Sequence, residues 1–146
     1  MGRNSQNQPA RFAGWDLPPV EKRILVVDDD LHSREGLRDS LLAEGFRVET
    51  AGDGWEAIGK MKQRPFDIAI IDIDLPPVHG VNITGWDLAR ILRAYNAAIR
   101  LIVISAHAAE AGRVEAEGVQ VSQCLEKPIS PARLKTIVKT LDPSAT

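Results

Sequence analysis

The sequence predicts an α/β fold in which a doubly wound, five-stranded parallel sheet carries helices on both faces. Three observations point there. Ile24–Val27, Ile68–Ile71 and Leu101–Ile104 are continuous apolar runs rich in β-branched residues, as strands covered on both faces require. Leu88, Ile91, Leu92 and Tyr95 fall at i, i+3, i+4 and i+7, and Leu134, Ile137, Val138 and Leu141 repeat that spacing. Each set therefore lies on one face of a helix. Strand and helix signals alternate five times and end on a helix, so the strands run parallel with right-handed crossovers.

Taken in order, residues 1–21 read as a flexible tail. Pro18-Pro19 disfavours helix, and only Phe12, Trp15 and Leu17 stand out as apolar. The first strand follows at Ile24–Val27. Gly45, after Leu41-Leu42-Ala43-Glu44, is a C-cap for the first helix. Phe46–Thr50 is a weaker second strand, and Asp53 with Glu56 forms a capping box for the second helix. The third and fourth strands are Ile68–Ile71 and Leu101–Ile104, with the helix of Leu88 to Tyr95 between them. Val119–Leu125 is a weaker fifth strand. Ser130 followed by Pro131 starts the last helix as N-cap and first helical residue. Residues 142–146 form a second tail, which leaves 22–141 as the folded unit.

The 146 residues suit one domain. With 44% hydrophobic and 26% charged residues, a core of ordinary size is expected. A formal net charge of -2 gives no electrostatic case for direct binding to nucleic acid or to an acidic membrane. Cys124, the single cysteine, cannot form an internal disulfide, which suits a reducing compartment. No apolar run has the length of a signal peptide or a bilayer span. A cytoplasmic location is the expectation.

In a doubly wound sheet, ligands bind beyond the carboxyl ends of the strands. The first strand ends in Asp28-Asp29-Asp30, the third in Asp72 followed by Ile73 and Asp74, and the fourth in Ser105; the fifth leads to Lys127-Pro128. Clustered carboxylates raise one another's pKa unless a cation sits among them. Two or three carboxylates with a phosphate oxygen suit Mg²⁺. A lysine and a hydroxyl beside them can hold phosphoryl oxygens, and an Asp carboxylate can itself be the nucleophile. A solitary Asp72 at a buried strand end would be costly without partners. Asp30 reads as a helix cap with no catalytic role.

The set Val-Val-Asp28-Asp29, Ile-Ile-Asp72-x-Asp74-Leu-Pro76, Ile104-Ser105-Ala106 and Lys127-Pro128 resembles the receiver domain of bacterial response regulators. The resemblance spans about Lys22 to Leu141. It implies the flavodoxin-like (βα)5 fold and a single-domain, chemotaxis-regulator-like switch of two-component phosphorelay signalling. By resemblance, Asp72 is the phosphoacceptor and becomes a 4-aspartylphosphate. Asp29 ligates Mg²⁺ directly, Asp28 chiefly through water, and Asp74 through its backbone carbonyl. Ser105 and Lys127 contact the phosphoryl group, and the Lys127-Pro128 bond is often cis. The implied donor is a sensor histidine kinase or a histidine phosphotransfer protein. The implied output surface is the fourth helix, fifth strand and fifth helix, about 108–141, acting on a downstream protein or through a homodimer. No catalysis is expected beyond Mg²⁺-dependent self-phosphorylation and autodephosphorylation.

The chain departs from the family in several places. Ser105 stands where threonine is commoner and keeps the hydroxyl. Cys124 occupies a position where many receivers carry an aromatic switch residue, which argues against an aromatic-coupled output; it reads as a small core residue. Residues 77–84 look like an insertion beside Asp72, either a gate or partner selector or a tolerated surface loop. His32, His79 and His107 share the same edge. A three-histidine metal site is a weaker reading than a tuning role for His107. Trp55 and Trp86 begin helices and read as packing residues. Two rival functions remain. A haloacid-dehalogenase-like phosphatase would use Asp72-Ile73-Asp74, but its metal aspartates follow the nucleophile, whereas Asp28-Asp29 precede it. An unphosphorylated interaction module would not need the pocket residues. A nucleotide enzyme lacks its Gly-rich loop after the first strand.

Overall fold

The computed structural model describes residues 22–107 and 118–141. Strands β1 (Arg23–Val27), β2 (Arg47–Ala51), β3 (Ile68–Asp72), β4 (Arg100–Ser105) and β5 (Gln123–Glu126) form one sheet in the order β2-β1-β3-β4-β5. Every neighbouring pair is parallel. The helices among the described residues are α1 (Leu31–Leu42), α2 (Gly54–Gln63), α3 (Gly85–Tyr95) and α4 (Pro131–Leu141). The helix expected between the fourth and fifth strands falls on residues 108–117, outside those described, as do the expected tails 1–21 and 142–146.

The period of two along each strand divides the core. Leu25, Val27, Ala69, Ile71, Leu101 and Val103 point to one face, where Ala57 and Met61 of α2 and Leu88, Ala89 and Leu92 of α3 cover them. Ile24, Val26, Ile68, Ile70, Ile102 and Ile104 point to the other, covered by Leu37 and Leu41 of α1 and Leu134 and Val138 of α4. The strands are continuously apolar because both faces are covered. The chain winds one way from β1 to β2 and the other way through β3, β4 and β5. The reversal opens a crevice above the C-terminal ends of β1 and β3.

Most expected helix ends appear. Asp30 caps α1, and the Ser130 hydroxyl accepts from the Arg133 amide at the start of α4. Gly45 closes α1 as expected: at a φ of 93° its amide donates to the Leu42 carbonyl and the Phe46 amide to the Leu41 carbonyl, the Schellman pattern. Several details differ from expectation. Asp53 caps α2, but Glu56 reaches back to the Gly52 amide and not to that of Asp53. β5 begins only at Gln123. Val119 and Val121 are apolar because they pack against the core, not because they pair in the sheet. Tyr95 and Trp55 are about half exposed and lie outside the buried core. The buried stripe of α3 runs instead through Trp86, Leu88, Ala89 and Leu92. Cys124 is partly buried against the core.

The 77–84 segment has its own order. The amides and carbonyls of Val78 and Val81 exchange hydrogen bonds of 2.9 and 3.0 Å. His79 and Gly80 between them both have positive φ, as a type I′ two-residue turn requires. Thr84 then opens α3 through a full capping box with Asp87.

Candidate functional site

The crevice collects side chains from three strand ends. Asp28 follows β1, and Asp72 is the last residue of β3; each is under 5% exposed. Asp29, beside Asp28, is exposed. Carboxylate oxygens of Asp28, Asp29 and Asp72 lie within 4.8 Å of one another, and this is the only group of potential metal ligands among the described residues. Lys127, one residue beyond β5, donates from Nζ to Asp72 Oδ2 at 2.7 Å and lies 3.8 Å from Asp28 Oδ2. The Lys127-Pro128 bond is cis.

Backbone groups complete the arrangement. The Asp74 amide donates to Asp72 Oδ1 at 2.9 Å, and the Asp30 amide donates to Asp28 Oδ1 at 2.9 Å. Each strand-end carboxylate is thus gripped by the amide two residues on, an Asx turn. Sequence reasoning missed these donors because no side-chain motif encodes an amide. It also missed Arg34, whose Nη1 donates to the Asp28 carbonyl at 3.1 Å from one turn into α1.

Electrostatics match this geometry. Burial pushes the Asp28 carboxyl up, with Asp72 and Asp29 adding to the effect. The Asp30 amide and Lys127 oppose it without cancelling it. Desolvation pulls the Lys127 amine down, but the hydrogen bond and charge of Asp72, with Asp28 and Asp29 behind it, outweigh burial and hold it above its ordinary value. One ammonium faces three carboxylates, so the pocket carries uncompensated negative charge that a divalent cation would neutralise. The donor set is all oxygen, which suits Mg²⁺. Asp30 stands apart. Its carboxylate accepts from the Ser33 hydroxyl at 2.7 Å and from the His32 amide, and the Ser33 bond lowers its pKa.

Two expected participants meet Asp72 differently from expectation: the Ser105 hydroxyl bonds elsewhere, and Asp74 reaches it through its amide. Ser105 is buried one residue past Ile104, the register partner of Asp72. Its Oγ accepts from the His107 amide at 3.0 Å and donates to the His107 carbonyl. Asp74 is exposed and shows only its amide contact. His32, His79 and His107 form no metal-binding group among the described residues. A cleft of about 510 Å³ opens beside Asp28 and Lys127, walled by His32, Ser33, Leu37, Ile104 and Ile129.

Residues 24–139 match the response regulator receiver domain family. The probable transcriptional regulatory protein SilR of Salmonella typhimurium is 31% identical over 119 residues, covering 82% of this chain and 50% of SilR. The sensor protein EvgS of Escherichia coli O157:H7 is 30% identical over 123 residues, covering 84% of this chain and 10% of EvgS. The chain therefore spans half or less of the length of these relatives. Among solved structures, the chemotaxis protein CheY4 of Vibrio cholerae aligns with a TM-score of 0.74 at 25% identity, covering 84% of this chain and 100% of that one. The response regulator TrrA of Thermotoga maritima, in complex with Mg(2+)-BeF, aligns with a TM-score of 0.69 at 31% identity, covering 83% and 99%. None of these matches supports the phosphatase alternative.

Proposed function

The chain belongs to the response regulator receiver domain family, and on that premise we propose that it is a phosphorelay switch whose phosphoacceptor is Asp72. Receiver domains carry two-component signals and bind Mg²⁺ at an acidic pocket. The observation that carries the residue-level reading is the buried Asp72 carboxylate. It is held by Lys127 on one oxygen and the Asp74 amide on the other, with two further carboxylates within 4.8 Å.

The donor is a sensor histidine kinase or a histidine phosphotransfer protein, which approaches Asp72 from the sheet edge where Asp29 and Asp74 are exposed. A carboxylate oxygen of Asp72 attacks the phosphorus of the donor's phosphohistidine. The O–P bond forms as the P–N bond breaks, and the imidazole nitrogen leaves with the electron pair. A carboxylate nucleophile needs no separate base. Lys127 exchanges its bond with Asp72 for one with a phosphoryl oxygen. The Ser105 hydroxyl turns from the His107 carbonyl to another. Asp28, Asp29, Asp72 and the Asp74 carbonyl would hold Mg²⁺, which supplies charge neutralisation for the incoming phosphoryl group. These rearranged contacts bias a two-state surface over about 108–141, of which 108–117 lie outside the described residues. That surface then engages a downstream protein or a second copy. The chain's own catalysis is limited to its phosphorylation and autodephosphorylation.

The test is labelling with acetyl phosphate and Mg²⁺, followed by intact mass. The wild-type chain acquires one phosphoryl group, and Asp72→Asn acquires none. Full labelling of Asp72→Asn overturns the assignment.

A further inference from the structure

Gly85 occupies a place where any side chain would press on backbone. It is the first residue of α3, and its amide donates to the Ile73 carbonyl at 3.1 Å. A Cβ built on it would lie 2.5 Å from the Asp72 carbonyl oxygen, 2.5 Å from the Ile73 Cα and 3.0 Å from the Ile73 carbonyl oxygen. All three neighbours are backbone, so no side chain can swing aside. Gly54 makes a useful contrast: a Cβ there meets chiefly the Ile83 side chain. Gly85 is not among the residues with positive φ, so the need for glycine is steric and not conformational.

The two bodies that meet at Gly85 are both fixed. β3 is paired with β1 and β4. α3 is held by the Thr84–Asp87 capping box and by Trp86, Leu88, Ala89 and Leu92 in the core. Between them lies the Ile73–Asp74 peptide, which leads to the exposed Asp74. That peptide carries the amide that grips Asp72 Oδ1.

We propose that Gly85 is a positioning residue for the phosphoacceptor: its missing side chain lets the start of α3 press the Ile73–Asp74 peptide into the place from which the Asp74 amide orients the Asp72 carboxylate. The inference rests on Asp72 being the phosphoacceptor. A methyl group at position 85 presses on the Asp72 carbonyl and on Ile73; the Ile73 amide is tied to the Ile104 carbonyl, so the displacement passes to the Ile73–Asp74 peptide beyond it. Misplacement of a reacting group by about 1 Å lowers rates by roughly a hundredfold.

The experiment compares wild type, Gly85→Ala and Gly59→Ala, each with acetyl phosphate and Mg²⁺. Position 59 has open space around it. Folded fraction is read by circular dichroism, the Mg²⁺ dissociation constant by NMR titration, and the labelling rate per folded molecule by intact mass. The expected result is a folded Gly85→Ala that labels about tenfold to a hundredfold more slowly than wild type and binds Mg²⁺ more weakly, with Gly59→Ala unchanged in both. If Gly85→Ala is unfolded alone, it is repeated in the Gly59→Ala background, where alanine favours α2. A folded Gly85→Ala with wild-type rate and Mg²⁺ affinity overturns the proposal. So does failure to fold in both backgrounds, since the clash would then fall on the fold and not on the pocket. A wild-type chain that does not label, or labelling that survives Asp72→Asn, refutes the phosphoacceptor assignment instead, which separates the two failures.

Discussion

Asp28 is the residue on which the pocket's burial weighs most. Its pKa is raised in the fold, chiefly by desolvation. A raised folded pKa means that the protonated form is the better accommodated one. Its contribution to stability is complete below the ordinary value of 3.8 and is lost as pH rises through the higher folded value. Ionising Asp28 in the metal-free fold therefore costs stability. Asp28→Asn keeps an acceptor for the Asp30 amide and removes the charge. We expect it to stabilise the metal-free protein by about 1–2 kcal/mol at pH 7 and to abolish most of the stabilisation by Mg²⁺. Chemical denaturation with and without Mg²⁺ measures both effects, and a destabilised Asp28→Asn at pH 7 would contradict this account. Asp28, Asp29, Asp72 and Lys127 were legible from their places at strand ends. The amides of Asp30 and Asp74 were not, because every residue but proline has one and only the turn aims it.

At the scale of elements, α1 and α4 are tied to each other by ion pairs as well as to the sheet by their apolar faces. Glu44, just past α1, pairs with both Lys135 and Lys139 of α4. The hydrogen bond from Lys139 holds the Glu44 carboxyl below its ordinary value. A lowered folded pKa contributes stability above the ordinary value of 4.5, lost as pH falls through the folded one. Glu44→Gln should therefore leave a shallower acid limb in a plot of melting temperature against pH; an unchanged limb would show the link to be inert. The apolar period announced α3 and α4, and cap residues announced α1 and α2. In α3 the pattern went astray only at its end, where Tyr95 was counted in the buried stripe. Burial depends on where the neighbouring helix stops, and Tyr95 lies at the last turn of α3, where the core has ended.

At the scale of the whole molecule, sheet, helices and pocket form one linked system. A cation that binds the folded pocket and not the unfolded chain stabilises the fold by mass action, by about 2.7 kcal/mol at a hundredfold excess over its dissociation constant. Mg²⁺ should thus raise the melting temperature by several degrees in a concentration-dependent manner. Absence of any shift at millimolar Mg²⁺ would count against the oxygen-ligand pocket. The sequence by itself determined the fold class, the order of strands and helices, and the acidic and basic residues that reach the crevice. Those follow from local periodicity and from the rule that parallel strands deliver their ends to one edge. The tertiary structure alone decided which groups touch. Lys127 meets Asp72 across 55 positions of sequence, Ser105 turns to the His107 backbone, the 77–84 segment closes on a type I′ turn, and Gly85 seats α3 against the strand that bears Asp72. These contacts depend on distances of a few tenths of an ångström between segments remote in sequence. No pattern of residue types encodes such distances, because they are set by how the whole core packs.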